Sequence, residues 1–414
     1  MNKVKLGEIA EIQAGPFGTQ LHKEEYVTQG IPMLNSKNIG NGRIITDSID
    51  YIPPGVCLRL PKYVLNEGDI LFGRAGTIER HTYVDKEYNG CIQGTNCIRI
   101  RCNDKKQALY ISYYLWLKEL KQRIENSSGG SIQSYITTDL LKDITIEIPD
   151  NFEKKAKMLR LIDKKIDNNT RINDNLEQQL TTLYDYWFTQ FDFPDENGKP
   201  YQSSGRKMVM NNCLKKKIPD GWNVESVYSN QLSSIIKPGV DKFDTKTYFA
   251  TADIKGTSLS SGALIDYENR ENRANMQPSV NSVWFAKMKN SIKHLYLNKE
   301  MLPIILSSIL STGFCGLQCS DVSFEYMASY ISNTYFETHK DMLAHGATQE
   351  AVNNDDLAGI HIIIPDDKTL QNYHRITQPI YSQISKNICE NQELVKIRDW
   401  LLPMLMNGQA SISD

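Results

Sequence analysis

The stretch "GGSIQSYITTDLLKDITIEIP", beginning at Gly129, is answered by "HGATQEAVNNDDLAGIHIIIP", beginning at His345. Laid over one another without a gap, the two share Gly130 with Gly346, Gln133 with Gln349, Asp139 with Asp355, Leu141 with Leu357, and the Ile-x-Ile-x-Ile-Pro ending. At the same offset Tyr110 falls on Tyr326 and Tyr114 on Tyr330, within two stretches that both read as amphipathic helices. Upstream, "GDILFGRAGTIER" from Gly68 resembles "NSVWFAKMKNSIK" from Asn281, each an apolar strand running into a basic polar loop. A period of 216 residues is far too long for a solenoid repeat. It describes a duplicated module of strands and helices, closed each time by a strand that proline stops.

Each closing strand gives way to a segment of a different kind. From Phe152 to Phe188 there is no glycine or proline. Ile162, Ile166, Asn169, Asn173, Leu176, Leu180, Leu183 and Trp187 step by four and three, as a heptad seam does. The counterpart runs Ile376, Ile380, Gln383, Asn387, Glu390, Leu394, Ile397 and Leu401, with Pro379 marking a kink or a late helix start. Either segment alone could be an ordinary surface helix. Their recurrence after similar modules predicts two long helices that bury their seams against each other as an antiparallel coiled coil, with buried Asn fixing the register.

The resulting expectation is a mixed α/β (α+β) chain with a pseudo-twofold internal repeat. Residues 1–150 form a first globular module, 151–190 a first helical region, 191–216 a linker, 217–366 a second module and 367–408 a second helical region. The linker reading rests on "DFPDENGKPYQSSGRKMVMNNCLKKKIPDGW", rich in turn formers and without periodicity. About 37 helical residues at about 1.5 Å each give a spacer near 55 Å. Two divergent heads on a pseudo-twofold frame suit the reading of two short sequences a fixed distance apart on duplex DNA.

Composition narrows the function classes. At 414 residues the chain exceeds one core. No run of 18 apolar residues appears, and "MNKVKLGEIAEIQAG" lacks the apolar core of a signal peptide, so a cytoplasmic protein without membrane contact is expected. The formal net charge of -2 leaves any DNA surface to local patches. Eight cysteines are scattered; Cys97 with Cys102, and Cys315 with Cys319, have no second ligand pair nearby, so reduced structural thiols and no metal site are expected. There is no Asn-Pro-Pro-Tyr or Asp-Pro-Pro-Tyr of an amino-methyltransferase, no Walker A and no nucleophile elbow.

The pieces "GDILFGRAGTIER", "SIQSYITTDLLKDITIEIP", "IDKKIDNNTRINDNLEQQLTTLYDYWF", "KKKIPDGWNVESV" and "LLPMLMNGQ" together resemble the specificity subunit of Type I restriction-modification systems, over essentially the whole chain. The resemblance implies two target recognition domains separated by two conserved helical regions, and a subunit that does no chemistry. It implies double-stranded DNA as a partner, read as a bipartite asymmetric site. It also implies two methyltransferase subunits, which carry S-adenosylmethionine, and an ATP-driven restriction subunit in systems that have one. No cofactor is expected in this chain. A defence-system scaffold without DNA specificity of its own is the alternative. The sequence departs from the family at Lys155, where a glutamine often opens the helix (the second copy has Gln371), and at Glu79, often glycine.

For the DNA face, base edges require Arg, Lys, Asn and Gln, and phosphates Lys, Arg, Ser and Thr. Arg74, Thr77, Arg80 and His81 follow a strand in the first module; Lys287, Lys289, Asn290 and Lys293 follow the matching strand in the second. Ser131 with Gln133, and Thr348 with Gln349, form a second candidate surface beside Gly130 and Gly346. Solvated basic loops and a glycine turn device are the bland readings of the same residues. Tyr110, Tyr114, Tyr326 and Tyr330 are assigned to the core, as are Trp187 and Trp400 at the helix ends, and no catalytic residue is assigned.

Overall fold

The computed structural model describes residues 2–74, 80–127, 135–260 and 262–410. The chain forms two compact units, Met1–Lys164 with Lys396–Asp414, and Lys165–Val395. In the first, a four-stranded antiparallel sheet has the order Ala10–Ala14, Cys97–Cys102, Ile70–Gly73, His81–Tyr83. A smaller sheet sets Ile31–Leu34 between the antiparallel Asp50–Ile52 and the parallel Ile92–Gln93. In the second unit Ser233–Ile235, Phe314–Cys319, Ser282–Ala286 and His294–Leu297 repeat the first pattern. Lys246–Phe249 lies between the antiparallel Ala263–Ile265 and the parallel Ser308–Ser311, to which Ala274–Met276 is added.

The duplication reaches individual hydrogen bonds. Each closing strand pairs antiparallel with the strand that opens its module: Thr145–Ile148 with Asn2–Lys5, and His361–Ile364 with Asn223–Ser226. Tyr110 donates its hydroxyl to the Glu147 carbonyl at 2.9 Å, and Tyr326, its repeat partner, donates to the Ile363 carbonyl at 2.6 Å. Both tyrosines are buried, as the core reading requires. The Ile-x-Ile pattern places Ile146 and Ile362 inside, because side chains alternate across a strand and only one face is covered.

The helix Phe152–Tyr184 widens into a π turn at Asp185–Thr189, and the last helix runs Asp367–Met406 without interruption at Pro379. Their pairing is antiparallel within each unit. In the first, the Lys155 ammonium, 2% exposed, donates to the Leu405 carbonyl at 2.5 Å, and Arg398 meets Asp163 at 3.1 Å. In the second, Asn387 donates to the Asn173 side-chain oxygen at 2.8 Å, and Asn169 donates to Glu390 and Asn391 at 2.7 and 2.9 Å. The polar centre expected of the seam is therefore a set of direct hydrogen bonds. Leu180 is buried, while Ile162, Ile166, Leu176, Leu183, Ile380, Leu394 and Leu401 are half-buried. Ile376 and Ile397 do not belong to the seam: Ile376 is 41% exposed, because around it the last helix turns Tyr373, Thr377, Tyr381 and Ile384 inward instead, and Ile397, in the first unit, is 46% exposed. Trp187 is buried but Trp400 is 60% exposed, so only the first is a packing residue.

Residues 191–216 are folded onto the second unit. Phe191 and Phe193 are buried, and Phe193 stacks on Trp222 with ring centroids 4.9 Å apart. Met208–Asn211 pairs antiparallel with Lys216–Pro219 as a hairpin. All eight cysteines are free, and the described residues contain no cluster of three or more metal-ligating side chains. Among the described residues, no helix is long and apolar enough to cross a membrane.

Candidate nucleic-acid interface

In the second unit the interior strand Ser282–Ala286 delivers a basic loop to one end of its sheet. The Lys287 amide donates to the Gly313 carbonyl at 2.9 Å, and the Lys287 carbonyl accepts from Val352 at 3.0 Å. One step further the Lys289 amide donates to the Glu350 carbonyl at 3.0 Å, with a bridge between Met288 and Ala351. The 287–293 loop and the 345–352 segment, separate candidates in sequence, are thus knitted into one surface carrying Lys287, Lys289, Asn290, Thr348 and Gln349. Asn290, Thr348 and Gln349 are exposed. Gly346 makes the turn possible: its φ is +137°, and a Cβ there would stand 2.4 Å from the Gln349 carbonyl oxygen.

The first unit uses the same stitch. The Arg74 amide donates to the Asn96 carbonyl at 2.8 Å, and the Arg74 carbonyl accepts from Ile136 at 3.2 Å. Arg74 and Lys287 hold equivalent places after their strands, and Ile136 and Val352 are repeat partners, so two divergent loops hang from one backbone frame. The Arg74 guanidinium lies 5.9 Å from the Tyr135 ring, which is 46% exposed. Thr77, Ser131 and Gln133 lie outside the described residues. Arg80 is half-buried, and its carbonyl accepts from Gly73 at 3.2 Å.

Two candidates leave the surface. His81 is fully buried, stacked between Phe72 and Trp116 at centroid distances of 4.6 and 4.2 Å, with Nε2 2.8 Å from the Ser112 carbonyl. Burial pushes its pKa down to about 3, so it is a neutral core imidazole and cannot touch DNA. Lys293 is half-buried and donates its ammonium to the Thr251 carbonyl, which ties it to its own module.

Electrostatics at the remaining residues permit exchange with a ligand. Lys289 pairs with Glu350 at 2.8 Å, but the two side chains are 36% and 49% exposed. An ion pair that open is worth about 0–1 kcal/mol, so a phosphate can compete for the ammonium. Tyr135 and Glu350 were not among the sequence candidates. Neither carries a local signal, because each is defined by a partner 61 residues away.

Residues 1–182 match the family model of the Type I restriction modification DNA specificity domain. Two curated proteins align over nearly the full length. The Type I restriction enzyme MjaIX specificity subunit of Methanocaldococcus jannaschii is 24% identical over 428 residues, covering 99% of this chain and 93% of that protein. The Type I restriction enzyme HindI specificity subunit of Haemophilus influenzae is 23% identical over 447 residues, covering 92% and 94%. Residues 1–182 thus resemble that DNA specificity domain, and the chain is similar over nearly its full length to Type I restriction enzyme specificity subunits. Its fold agrees with that of the S subunit of a Type I restriction-modification system from M. genitalium, with a TM-score of 0.52 at 13% identity, over 100% of this chain and 96% of that one.

Proposed function

We propose that this chain is a specificity subunit, the non-catalytic DNA reader of a Type I restriction-modification complex, each module reading its own half of an asymmetric, interrupted site. One observation carries the reading. The loops at Arg74 and Lys287 hang from the same backbone hydrogen bonds yet differ in sequence, as expected of two readers that share a docking frame and have diverged in target. The basic residues at these loops supply phosphate contacts, and Asn290 and Gln349 offer donor and acceptor groups to base edges. With a net charge of -2, binding depends on such local patches.

The repeated frame also suits two copies of a methyltransferase partner, one for each module. S-adenosylmethionine then belongs to those partners, and the purified chain alone turns none of it over. A restriction subunit completes the assembly in a system that encodes one.

The test is methylation mapped on a DNA library randomised in both half-sites, using the chain assembled with its methyltransferase. Replacing Lys287 and Lys289 together by Ala should weaken or alter one half-site and leave the other as it was. Equal change in both half-sites, or methyl transfer by the chain alone, would refute the proposal.

A further inference from the structure

The loop proposed to read the second half-site is held from beneath by charged residues of the helix Thr334–Leu343. Lys340 is 0% exposed, and its ammonium donates to the Glu337 carboxylate at 2.5 Å and to the Ser291 carbonyl at 3.3 Å. The other Glu337 oxygen lies 2.8 Å from Nε2 of His294, which is also buried. Asp341 accepts the Asn290 amide at 3.1 Å. Asn290 sits at φ +56°, in the left-handed region that Asn tolerates better than most side chains but not without cost. Two backbone groups at the tip of the loop are thus tied to two successive side chains of one helix.

Burying an ammonium is costly unless it is paired and its protons are satisfied. Burial pushes the Glu337 carboxyl up, but the hydrogen bonds from His294 and Lys340 outweigh it and hold the group below its ordinary value, so Lys340 faces an anion. An apolar residue would fill the same core at less cost, and the first module does so: a shift of 216 residues places Lys340 on the buried Ile124 and Glu337 on Lys121. The charged pair is peculiar to the second module, and its ammonium ends on the loop.

Taking that loop as a DNA reader, we propose that Lys340 and Asp341 are positioning residues that set its conformation for the second half-site, with Glu337 and His294 holding the Lys340 charge. They touch no DNA. Their effect passes through Ser291 and Asn290 to the presentation of Lys287 and Lys289.

The experiment uses the full chain assembled with its methyltransferase and three variants, scored by half-site-resolved methylation and by thermal melting. Asp341→Ala frees the Asn290 amide without leaving a buried charge. The double variant Glu337→Gln/Lys340→Met removes both buried charges together, which avoids the misfolding that an unpaired Glu337 could cause. Lys287→Ala/Lys289→Ala tests the loop itself. Expected is a loss of about tenfold, the size of one base contact, at the half-site that the lysine pair also affects, with the other half-site and the melting curve unchanged. Wild-type reading by Asp341→Ala and by the double variant, while the lysine pair fails, would overturn the proposal. Equal loss at both half-sites together with lowered melting would overturn it too, leaving a purely structural role. No effect from the lysine pair would instead remove the reading of the loop on which the proposal rests.

Discussion

The polar centre of the helix pair can be tested by a double-mutant cycle on Asn173 and Asn387. Asn173 is 6% exposed and Asn387 4%, so neither amide can turn to water. Asn387 donates to Asn173 at 2.8 Å, and Asn173 donates to the Ile384 carbonyl at 3.3 Å. Asn173→Ala leaves the Asn387 amide without its acceptor in a buried place, a cost of about 1–3 kcal/mol. For a unit of this size each kcal/mol lowers the melting temperature by about 2–4 °C, so a loss near 2 kcal/mol gives a fall of about 4–8 °C. Asn387→Ala orphans the same bond from the other side. The double Ala variant should therefore be more stable than the sum of the single losses predicts, with a coupling of about 1 kcal/mol. Urea denaturation of the full chain followed by circular dichroism gives all four corners of the cycle. Replacing both by Leu should restore or raise stability, because two matched apolar groups need no partners. Additivity of the two Ala changes within about 0.3 kcal/mol would show that the amides do not act as a pair, and the register would have to be set elsewhere.

Burial in each unit sets two further outcomes. His81 is held neutral in the fold, chiefly by burial, with a pKa of about 3 against 6.5 when unfolded. Its contribution is present in full above pH 6.5 and is lost as pH falls towards 3, because the unfolded state takes up the proton first. His81→Phe should flatten the acid side of the stability profile, read from urea midpoints at about pH 7.5 and about pH 5; an unchanged slope would mean that the imidazole is not buried. Trp222 stacks on Phe193, meets Phe188 at 5.9 Å and donates its indole N–H to Asp366 at 2.9 Å, so Trp222→Ala should cost about 3–5 kcal/mol by the same denaturation assay. A loss below about 1 kcal/mol would mean that residues 191–216 are a tether after all.

Why some of this was legible in the sequence and some was not depends on where each constraint sits. The frame of the modules is written in short-range alternation, Ile-x-Ile stopped by proline, and in tyrosines a fixed distance upstream; both survive divergence because they serve the same two hydrogen bonds, Tyr110 to Glu147 and Tyr326 to Ile363. The Asn173–Asn387 pair was visible for a similar reason: each polar residue interrupts an apolar period, and two interruptions in paired helices must answer one another. The seam at Ile376 failed because a heptad count assumes that a helix has one neighbour. The last helix has more than one within its own units, and the second unit's core draws Tyr373, Tyr381 and Ile384 inward instead. Residues 191–216 read as a linker because their order comes from aromatics at irregular spacing, Phe191, Phe193 and Trp222, which no periodic template detects. At the candidate interface, His81 and Lys287 look alike in sequence, a basic residue near a strand end. What separates them is a slot between Phe72 and Trp116 with a waiting Ser112 carbonyl, against a loop edge bonded to residue 352. Basic composition therefore marks the neighbourhood of such an interface, and only packing decides which of its cations remain outside to meet a phosphate.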